Sequence, residues 1–430
     1  MALAEENKVA MARAGVLPAL IKLAQSNDTE REIHAVATMA NIAEMVEGRT
    51  QRRMLEEGCL RPLLNLVESN EVEVSSTHQP TTDKTTERTL TTKYQPPTKS
   101  LITNSQVKRE VSRTLALFAC KRDSQPNLVR AGAIQQMVAF ARGDDEQCQR
   151  YGALSIGNMA VLPTNHQELF DTGAVASILP LATSEDLETR RVTAFALNNI
   201  ASSEANHRAC EKIGVLRPLV ALLKNPDQDT HLQACFAVRH LSLTAKCRSQ
   251  FVELHGLTPL LQLASSESVE VKREVAAALR NLSLSEQNKV SIVRAGGLDV
   301  LVDFCHSADV EVCHQSCGVI ANVAEAVENQ GLMVESGILQ HLKFVMRSKS
   351  VDVQREAVRA IANLSAEYSH TTAIVAAGAL VPLVATLSSP DFLCQRYSAM
   401  GIGNLSTNMS NMEKVLQEGS LQPLLSLARR

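Results

Sequence analysis

The chain has 430 residues, of which 45% are hydrophobic, yet it contains no Trp and only 3% aromatic residues. An interior built mainly from Ala, Leu, Val and Ile suits tightly packed helices. The formal net charge of -3 gives no overall attraction to nucleic acid or to an anionic membrane. We therefore expect no nucleic-acid partner, and any basic site must be local.

The ten cysteines form no C-x-x-C pair, and their spacing fits buried helix positions better than a disulfide framework. No apolar run reaches the roughly 18 residues that a membrane span requires. The start, Met1-Ala2-Leu3, lacks both a signal-peptide core and the glycine that myristoylation needs. We expect a cytoplasmic protein that reaches an organelle membrane or a cytoskeletal assembly only through a partner or through terminal lipidation outside this sequence.

One glycine recurs along the chain in a similar context, with successive spacings of 43, 74, 41, 41, 42, 40, 41, 41 and 41 residues. Such regularity indicates an internal repeat. The series is Gly15, Gly58, Gly132, Gly173, Gly214, Gly256, Gly296, Gly337, Gly378 and Gly419.

Each unit divides in the same way around its glycine. A short helix precedes the glycine, where a left-handed residue ends a helix without steric cost. A second helix follows, often with a proline in its first turn, and a polar break then supplies the cap for a longer third helix. A three-helix unit of this length falls in the armadillo and HEAT range.

The 74-residue spacing equals one repeat of 41 residues plus 33 more. The extra segment, residues 75–105, is rich in Thr and contains Pro96-Pro97, so it cannot offset its ordering entropy by burying apolar surface. We expect a flexible insert within repeat two. A phosphorylation or docking loop and a tolerated insertion without a specific role are the two interpretations of it.

The phrases Ala-Leu-Arg-Asn-Leu-Ser at 278–283, Ala-Ile-Ala-Asn-Leu-Ser at 360–365 and Gly-Ile-Gly-Asn-Leu-Ser at 401–406 resemble the armadillo family. Within that family, the sequences at 149–153 and 395–399 are most similar to the fungal vacuolar armadillo scaffold and its plant and protist relatives. The resemblance implies an all-α, right-handed superhelical solenoid of about ten armadillo repeats over residues 1–430. The last repeat stops within its second helix, so we expect either a longer native chain or an end that is frayed or covered by a partner.

A fixed position of the third helix, here called the ladder, carries asparagine in most repeats although Asn is a poor residue for a helix interior. Asn could bridge neighbouring helices as a buried structural residue. Alternatively, its paired donor and acceptor could hold the backbone of an extended peptide, which is the role that the armadillo resemblance implies, on the concave face. The ladder residues are Asn41, Leu117, Asn158, Asn199, His240, Asn281, Asn322, Asn363 and Asn404.

Eight residues before the ladder, on the same helical face, lies a row that we call the stripe. It contains six arginines, and Arg113 and Arg359 add to it four residues before the ladder. Each arginine could pair with an acidic residue of the adjacent repeat, such as Glu188 or Glu274. Unpaired, these guanidinium groups would favour carboxylates or phosphates. The stripe residues are Ile33, Arg109, Arg150, Arg191, Leu232, Arg273, His314, Arg355 and Arg396.

Importin-like receptors, which share the armadillo fold, place Trp four residues before the ladder Asn to hold lysines. This chain has no Trp, so basic nuclear-import signals are not the expected ligands. Because Leu117 offers no side-chain hydrogen bond, we expect the peptide-binding stretch to comprise repeats three to nine. A groove of that length would hold roughly 20 residues of an extended peptide.

Other candidate sites are weaker. Cys313, His314 and Cys317 lie close to His306 in the sequence, but buried packing positions explain the cysteines better than a metal site does. The asparagines of the Asn-Leu-Ser phrases match the glycosylation pattern only because the repeat recurs. No nucleophile, base and orienting group recur together, so we expect no enzyme activity, no metal and no cofactor.

These observations predict a non-catalytic scaffold or adaptor that binds extended, acidic segments of partner proteins along a groove lined by Asn and Arg. The alternative is a structural component of a larger assembly, such as an axonemal or membrane-contact scaffold, that uses its convex face or its C-terminal end.

Overall fold

The computed structural model describes residue 11 and residues 14–26, 28–44, 48–67 and 99–429. Within these ranges the regular elements are α-helices and short 3-10 helices. The chain divides into two compact units, Met1–Ile200 and Ala201–Arg430, and each is described by itself below. The single solenoid over residues 1–430 stays a prediction.

The first unit contains repeats one to four. Their described helices are, for repeat one, Leu17–Leu23 and Thr29–Ala43; for repeat two, Gly48–Glu56, 60–67 and Lys99–Ala119; for repeat three, Gln125–Arg130, Ala133–Arg142 and Glu146–Met159; and for repeat four, His166–Asp171, Ala174–Ile178 and Leu187–Ala201.

The second unit contains repeats five to ten. Repeat five has His207–Ile213, Leu216–Leu222 and Gln228–Leu241; repeat six has Ala245–Glu253, Leu257–Gln262 and Val269–Leu282; repeat seven has Glu286–Arg294, Gly297–Cys305 and Val310–Val323. Repeat eight has Val327–Glu335, Ile338–Val345 and Val351–Leu364; repeat nine has Thr371–Ala376, Leu380–Thr386 and Phe392–Ser406; repeat ten has Met409–Gln417 and Leu421–Ala428.

The third helices begin at a polar residue, as the sequence predicted. Asp145, Asp309 and Asp391 are N-caps whose carboxylates accept hydrogen bonds from backbone N–H groups of the first turn. Ser268 and Ser350 cap their helices with a hydroxyl oxygen. These bonds satisfy donors that have no partner within the helix.

Nine of the ten recurring glycines have positive φ, which confirms their predicted role. Gly256 is the exception: its φ is -72°, and the left-handed residue is His255, with φ 57°. Placing the left-handed residue at 255 makes the two irregular spacings of 42 and 40 both 41. Gly256 is required for another reason, since a Cβ there would lie 2.5 Å from the ring of Phe251.

The core of each unit lies between its helical layers and consists mainly of Ala, Leu, Val and Ile. In both units the third helix of one repeat packs against the third helix of the next. These helices therefore bring the ladder positions of successive repeats next to one another, one per repeat.

The predicted insert lies outside the described residues up to residue 98, whereas residues 99–105 form the start of the helix Lys99–Ala119.

The ten cysteines are free, and all but Cys120 are buried. In the last helix, Leu421 and Leu425 are exposed. Among the described residues no single helix is long and apolar enough to cross a bilayer, although Tyr368–Ala376 and Leu380–Thr386 pass that test as a pair bent by 93°.

Candidate peptide-binding face

The ladder side chains lie half-buried along the third helices, with the exception of Asn322, which is only 4% exposed. A half-buried carboxamide has one end in the protein and the other within reach of a ligand. The two ends of these side chains behave differently in the structure.

The amide end of five ladder asparagines joins neighbouring repeats. Each Nδ2 donates a hydrogen bond to the backbone carbonyl 42 residues earlier, on the preceding third helix. The pairs are Asn363 with Ala321 at 2.9 Å, Asn281 with Arg239 at 3.0 Å, Asn199 with Gly157 at 3.1 Å, Asn158 with Ala116 at 3.3 Å and Asn404 with Ala362 at 3.4 Å. The interpretation of these residues as structural bridges is therefore correct for the donor half of the side chain.

The oxygen end is open in four of them. The Oδ1 atoms of Asn158, Asn281, Asn363 and Asn404 accept no hydrogen bond from the described residues. None of these oxygens is among the buried polar atoms that lack a partner, so solvent reaches them. Because the amide end is anchored, each oxygen is held in one orientation as a ready acceptor.

Asn322 differs because a network of ionic side chains covers it. Its Nδ2 donates to Ser283 Oγ at 2.8 Å, and its Oδ1 accepts from Arg359 Nη2 at 2.7 Å. Arg359 also contacts Glu325 at 3.5 Å and Glu356 at 2.8 Å. We call Arg280, Asn322, Glu325, Glu356 and Arg359 the Asn322 network.

Arg280 extends this network across three repeats. Its Nη2 lies 2.6 Å from Glu356 Oε1, although the two residues are 76 positions apart. The guanidinium passes over Gly318, where a Cβ would lie 2.5 Å from Nη1. Glycine at 318 therefore leaves the space through which Arg280 reaches the carboxylate of repeat eight.

The first unit contains the same arrangement. Both Nη atoms of Arg113 lie 3.3 Å from Asn41 Oδ1, and Arg113 forms ion pairs with Glu44 and Glu110. Arg113 and Arg359, which lie four residues before the ladder, thus donate hydrogen bonds to two ladder oxygens.

His240 is half-buried at the ladder position of repeat five. Burial lowers the pKa of its imidazole, and the nearby Arg239 and His207 lower it further. The imidazole is therefore held in its neutral form, which keeps one donor and one acceptor nitrogen, as a carboxamide does. Leu117 is also half-buried and interrupts the hydrogen-bonding ladder, as predicted.

Four stripe arginines form ion pairs with the N-cap aspartate 36 residues later, in the next repeat. The shortest N–O distances are 2.7 Å for Arg109 and Asp145, 2.9 Å for Arg150 and Asp186, 2.5 Å for Arg273 and Asp309, and 2.7 Å for Arg355 and Asp391. Pairing with acids of the adjacent repeat, the alternative left open by the sequence, is the arrangement at these positions.

Each of these aspartates has two roles, since it caps its own helix and neutralises an arginine of the preceding repeat. The hydrogen bond from Arg355 lowers the pKa of Asp391 to about 2, with help from the backbone N–H of Cys394. The hydrogen bond from Arg273 likewise lowers the pKa of Asp309. Both carboxylates are charged at neutral pH, so these stripe pairs have no net charge.

Arg191 and Arg396 are the remaining two stripe arginines. Arg191 pairs with Glu188, three residues earlier on its own helix, at 2.7 Å. Arg396 is exposed and has no carboxylate partner among the described residues. Glu274, suggested as a stripe partner, pairs instead with Arg239 at 2.6 Å. The stripe is therefore not a row of unpaired cations. Among the described residues, Arg396 is the stripe arginine without a carboxylate partner, and its guanidinium lies 5.9 Å from the centroid of the Tyr397 ring.

Comparison with known proteins agrees with this architecture. The Armadillo/beta-catenin-like repeat model matches residues 244–284, 285–325 and 327–366, which contain repeats six, seven and eight. An engineered protein of known structure is 31% identical, with 54% of this chain and 96% of that protein covered and a TM-score of 0.51. The chain belongs to the armadillo-repeat family.

A second engineered protein of known structure is 27% identical to this armadillo chain. The match covers 96% of this chain and 94% of that protein, with a TM-score of 0.71. A designed armadillo repeat protein in complex with the peptide (KR)4 is 25% identical, with 54% of this chain and 99% of that protein covered and a TM-score of 0.50. No curated protein gives a significant match to the chain.

Proposed function

We propose that this armadillo protein is a scaffold that binds extended segments of partner proteins through its ladder. The observation that carries the proposal is the set of open carboxamide oxygens in both units, each oriented by an amide that is bonded to the preceding repeat. Backbone N–H groups of an extended peptide are the donors that match such acceptors. The complex of a related designed protein with (KR)4 supports an extended peptide as the class of ligand.

The sites that we assign to the peptide backbone are Asn158 in the first unit and Asn281, Asn363 and Asn404 in the second. Asn41 and Asn322 are assigned a structural role, since their oxygens accept from Arg113 and Arg359. In the second unit, the strongest binding segment is therefore repeats eight and nine, where two open oxygens follow each other.

The preference for acidic segments is proposed only for repeat nine. Paired stripe arginines offer a peptide no net charge, whereas Arg396 has an available guanidinium eight residues before Asn404. Acidic side chains of a bound segment would pair with this group.

A peptide array of acidic, basic and phosphorylated segments, including (KR)4, tests the proposal when it is probed with the purified chain. The tightest peptide is then titrated by fluorescence anisotropy against Asn363→Ala/Asn404→Ala. Loss of two backbone hydrogen bonds should weaken binding by roughly tenfold or more. The matched control is Asn322→Ala, for which the affinity should change by less than about twofold at a temperature where both variants are folded.

An array on which no segment binds, or equal losses in the two variants, would discard the ladder as the binding site. For the acidic preference, Arg396→Gln is compared with Arg273→Gln, because Arg273 is paired with Asp309. Only Arg396→Gln should reduce the affinity for an acidic peptide relative to a neutral one of the same length.

A further inference from the structure

A cavity of about 350 Å³ lies between repeats seven and eight. Its walls include no ladder or stripe residue, so it is separate from the proposed peptide site. The volume is at the lower end of the range for small-molecule sites. Val310, Val345 and Val353 supply apolar wall, and Phe344, which is 60% exposed, stands at the rim.

Two cysteines line the cavity and a third is buried beside them. Cys305 and Cys313 line the wall, whereas Cys317 is fully buried. The Sγ atoms of Cys305 and Cys317 are 3.7 Å apart, and Cys313 Sγ donates to the carbonyl of Cys305 at 3.3 Å. The three cysteines therefore form one contact cluster, and two of its members line the cavity.

The thiols of this cluster are not equivalent. A hydrogen bond from Cys317 lowers the pKa of the Cys313 thiol below its usual value, although burial opposes the shift. Hydrogen bonds to Cys305 and Cys313, together with burial, raise the pKa of Cys317. Of Cys313 and Cys317, the one that lines the cavity thus has the lowered pKa, and the thiolate is the nucleophilic form.

A cationic group completes the lining. Arg347 lines the cavity, and its guanidinium has no ion-pair or side-chain hydrogen-bond partner among the described residues. An anionic group on a bound molecule, such as a carboxylate, would pair with it. The cavity therefore combines a nucleophile, apolar walls and an anion-binding group.

We propose that this cavity is a covalent binding site for small α,β-unsaturated carbonyl compounds that carry an apolar chain and a carboxylate. The Cys313 thiolate attacks the β-carbon and forms a C–S bond. The electron pair of the C=C π bond moves to the α-carbon through the enolate, and the α-carbon then takes a proton from water. The thiol has then added across the double bond, with no oxidant and no leaving group.

Two maleimides test this site on the full chain. Both are α,β-unsaturated carbonyl compounds of similar length, but 6-maleimidohexanoic acid carries a carboxylate that N-hexylmaleimide lacks. Labelling of each cysteine at limiting reagent is followed by peptide mass spectrometry. Cys120, the exposed cysteine, is the internal reference. Cys313 should react with the acid at least tenfold faster than Cys120 does; a slower reaction than at Cys120 would overturn the proposal.

The Arg347→Gln variant separates the cavity from general thiol reactivity. The wild-type chain should favour the acid over N-hexylmaleimide at Cys313, and Arg347→Gln should abolish that preference while Cys120 is unaffected. Arg294→Gln, at an exposed position outside the cavity, is the matched control and should retain it. A preference that is the same in all three proteins, or absent in the wild type, contradicts the assigned role of Arg347.

Discussion

The ladder sites of repeats seven and eight carry the same residue at the same helical position, yet one is closed and the other open. Asn322 has its oxygen bound by Arg359, whereas the oxygen of Asn363 accepts no hydrogen bond from the described residues. What differs is the surroundings: repeat seven has Glu325 three residues after its Asn, and repeat eight has Ala366.

The comparison shows that asparagine at the same helical position does not always present an available oxygen. The amide half is used inside the protein at Asn363 and Asn322 alike. Whether the oxygen accepts a hydrogen bond within the protein depends on the residue four positions before the ladder in the following repeat. This residue is Arg359 for Asn322 and Met400 for Asn363. Under the proposed function, the capacity of a ladder site to bind a peptide therefore depends on two neighbouring repeats rather than on one.

Removal of the carboxylate at the centre of the closed site should have the largest effect. Glu356→Ala leaves Arg280 and Arg359 without the group that they share. We expect the free energy of unfolding in urea to fall by about 2–3 kcal/mol, less than for a fully buried pair because both arginines are partly exposed. The control is Glu328→Ala, at an exposed position outside the network, and an equal loss there would show that the network is not a stabilising centre.

Transfer of the closed arrangement to repeat eight sharpens the comparison. The triple variant Ala366→Glu/Tyr397→Glu/Met400→Arg places acidic and basic groups around Asn363 at the positions of Glu325, Glu356 and Arg359 around Asn322. Binding of the array-selected peptide should weaken by about tenfold, or about 1.4 kcal/mol. The Met400→Arg single variant lacks the acids that orient the arginine and should lose less. An unchanged affinity in the triple variant would show that these three residues do not close a ladder site.

The paired stripe should make the protein sensitive to acid. The pKa of Asp391 is lowered to about 2 by Arg355, and that of Asp309 is lowered by Arg273. A carboxylate with a lower pKa in the folded state adds stability above its unfolded pKa of about 3.9, and this contribution is lost as the pH falls toward 2.

The Asp391→Asn variant isolates this contribution, because Asn retains a capping oxygen but not the charge. At neutral pH it should be less stable by no more than about 1 kcal/mol, given the partial exposure of the pair. The difference in urea midpoint between variant and wild type should shrink between pH 5 and pH 2. A difference that does not depend on pH would show that Arg355 adds nothing through charge.

The smallest net effect is expected at Gly318. In Gly318→Ala the new Cβ displaces the guanidinium of Arg280 from its path to Glu356, while alanine gains about 1 kcal/mol in a helix interior. The two terms oppose each other, so the stability should change by less than about 1 kcal/mol. In the background of Arg280→Met no guanidinium lies over residue 318, so the same substitution should clearly increase the free energy of unfolding.

Much of the fold could be predicted from the 41-residue period, because the left-handed glycine, the polar cap and the ladder position each depend on local chemistry. Position 255 could not be predicted in this way. His255 is the left-handed residue there, whereas the neighbouring Gly256 has the residue type of the series but not its conformation.

The candidate site was harder to predict because its charges are paired between repeats. The stripe arginines are conspicuous in the sequence, but each of their aspartate partners also caps the next third helix, and the capping role alone would explain its presence. The sequence does hold the signal: where the stripe residue is Leu232 or His314, the residue 36 positions later is serine, Ser268 or Ser350, in place of aspartate. The contact of Arg280 with Glu356 over Gly318 depends on the three-dimensional path of a long side chain. No regular spacing in the sequence indicates it.

The cap aspartates also restrict which repeats can stand side by side. If the third helix of repeat three were followed directly by repeat nine, Arg150 would meet Asp391 in the place of Asp186, and the junction would remain neutral. If repeat eight followed, Arg150 would meet Ser350 and its charge would have no counterpart. Duplication or deletion of whole modules would therefore keep these charges paired only at junctions of matching type, so electrostatic compatibility between neighbours favours some repeat orders over others.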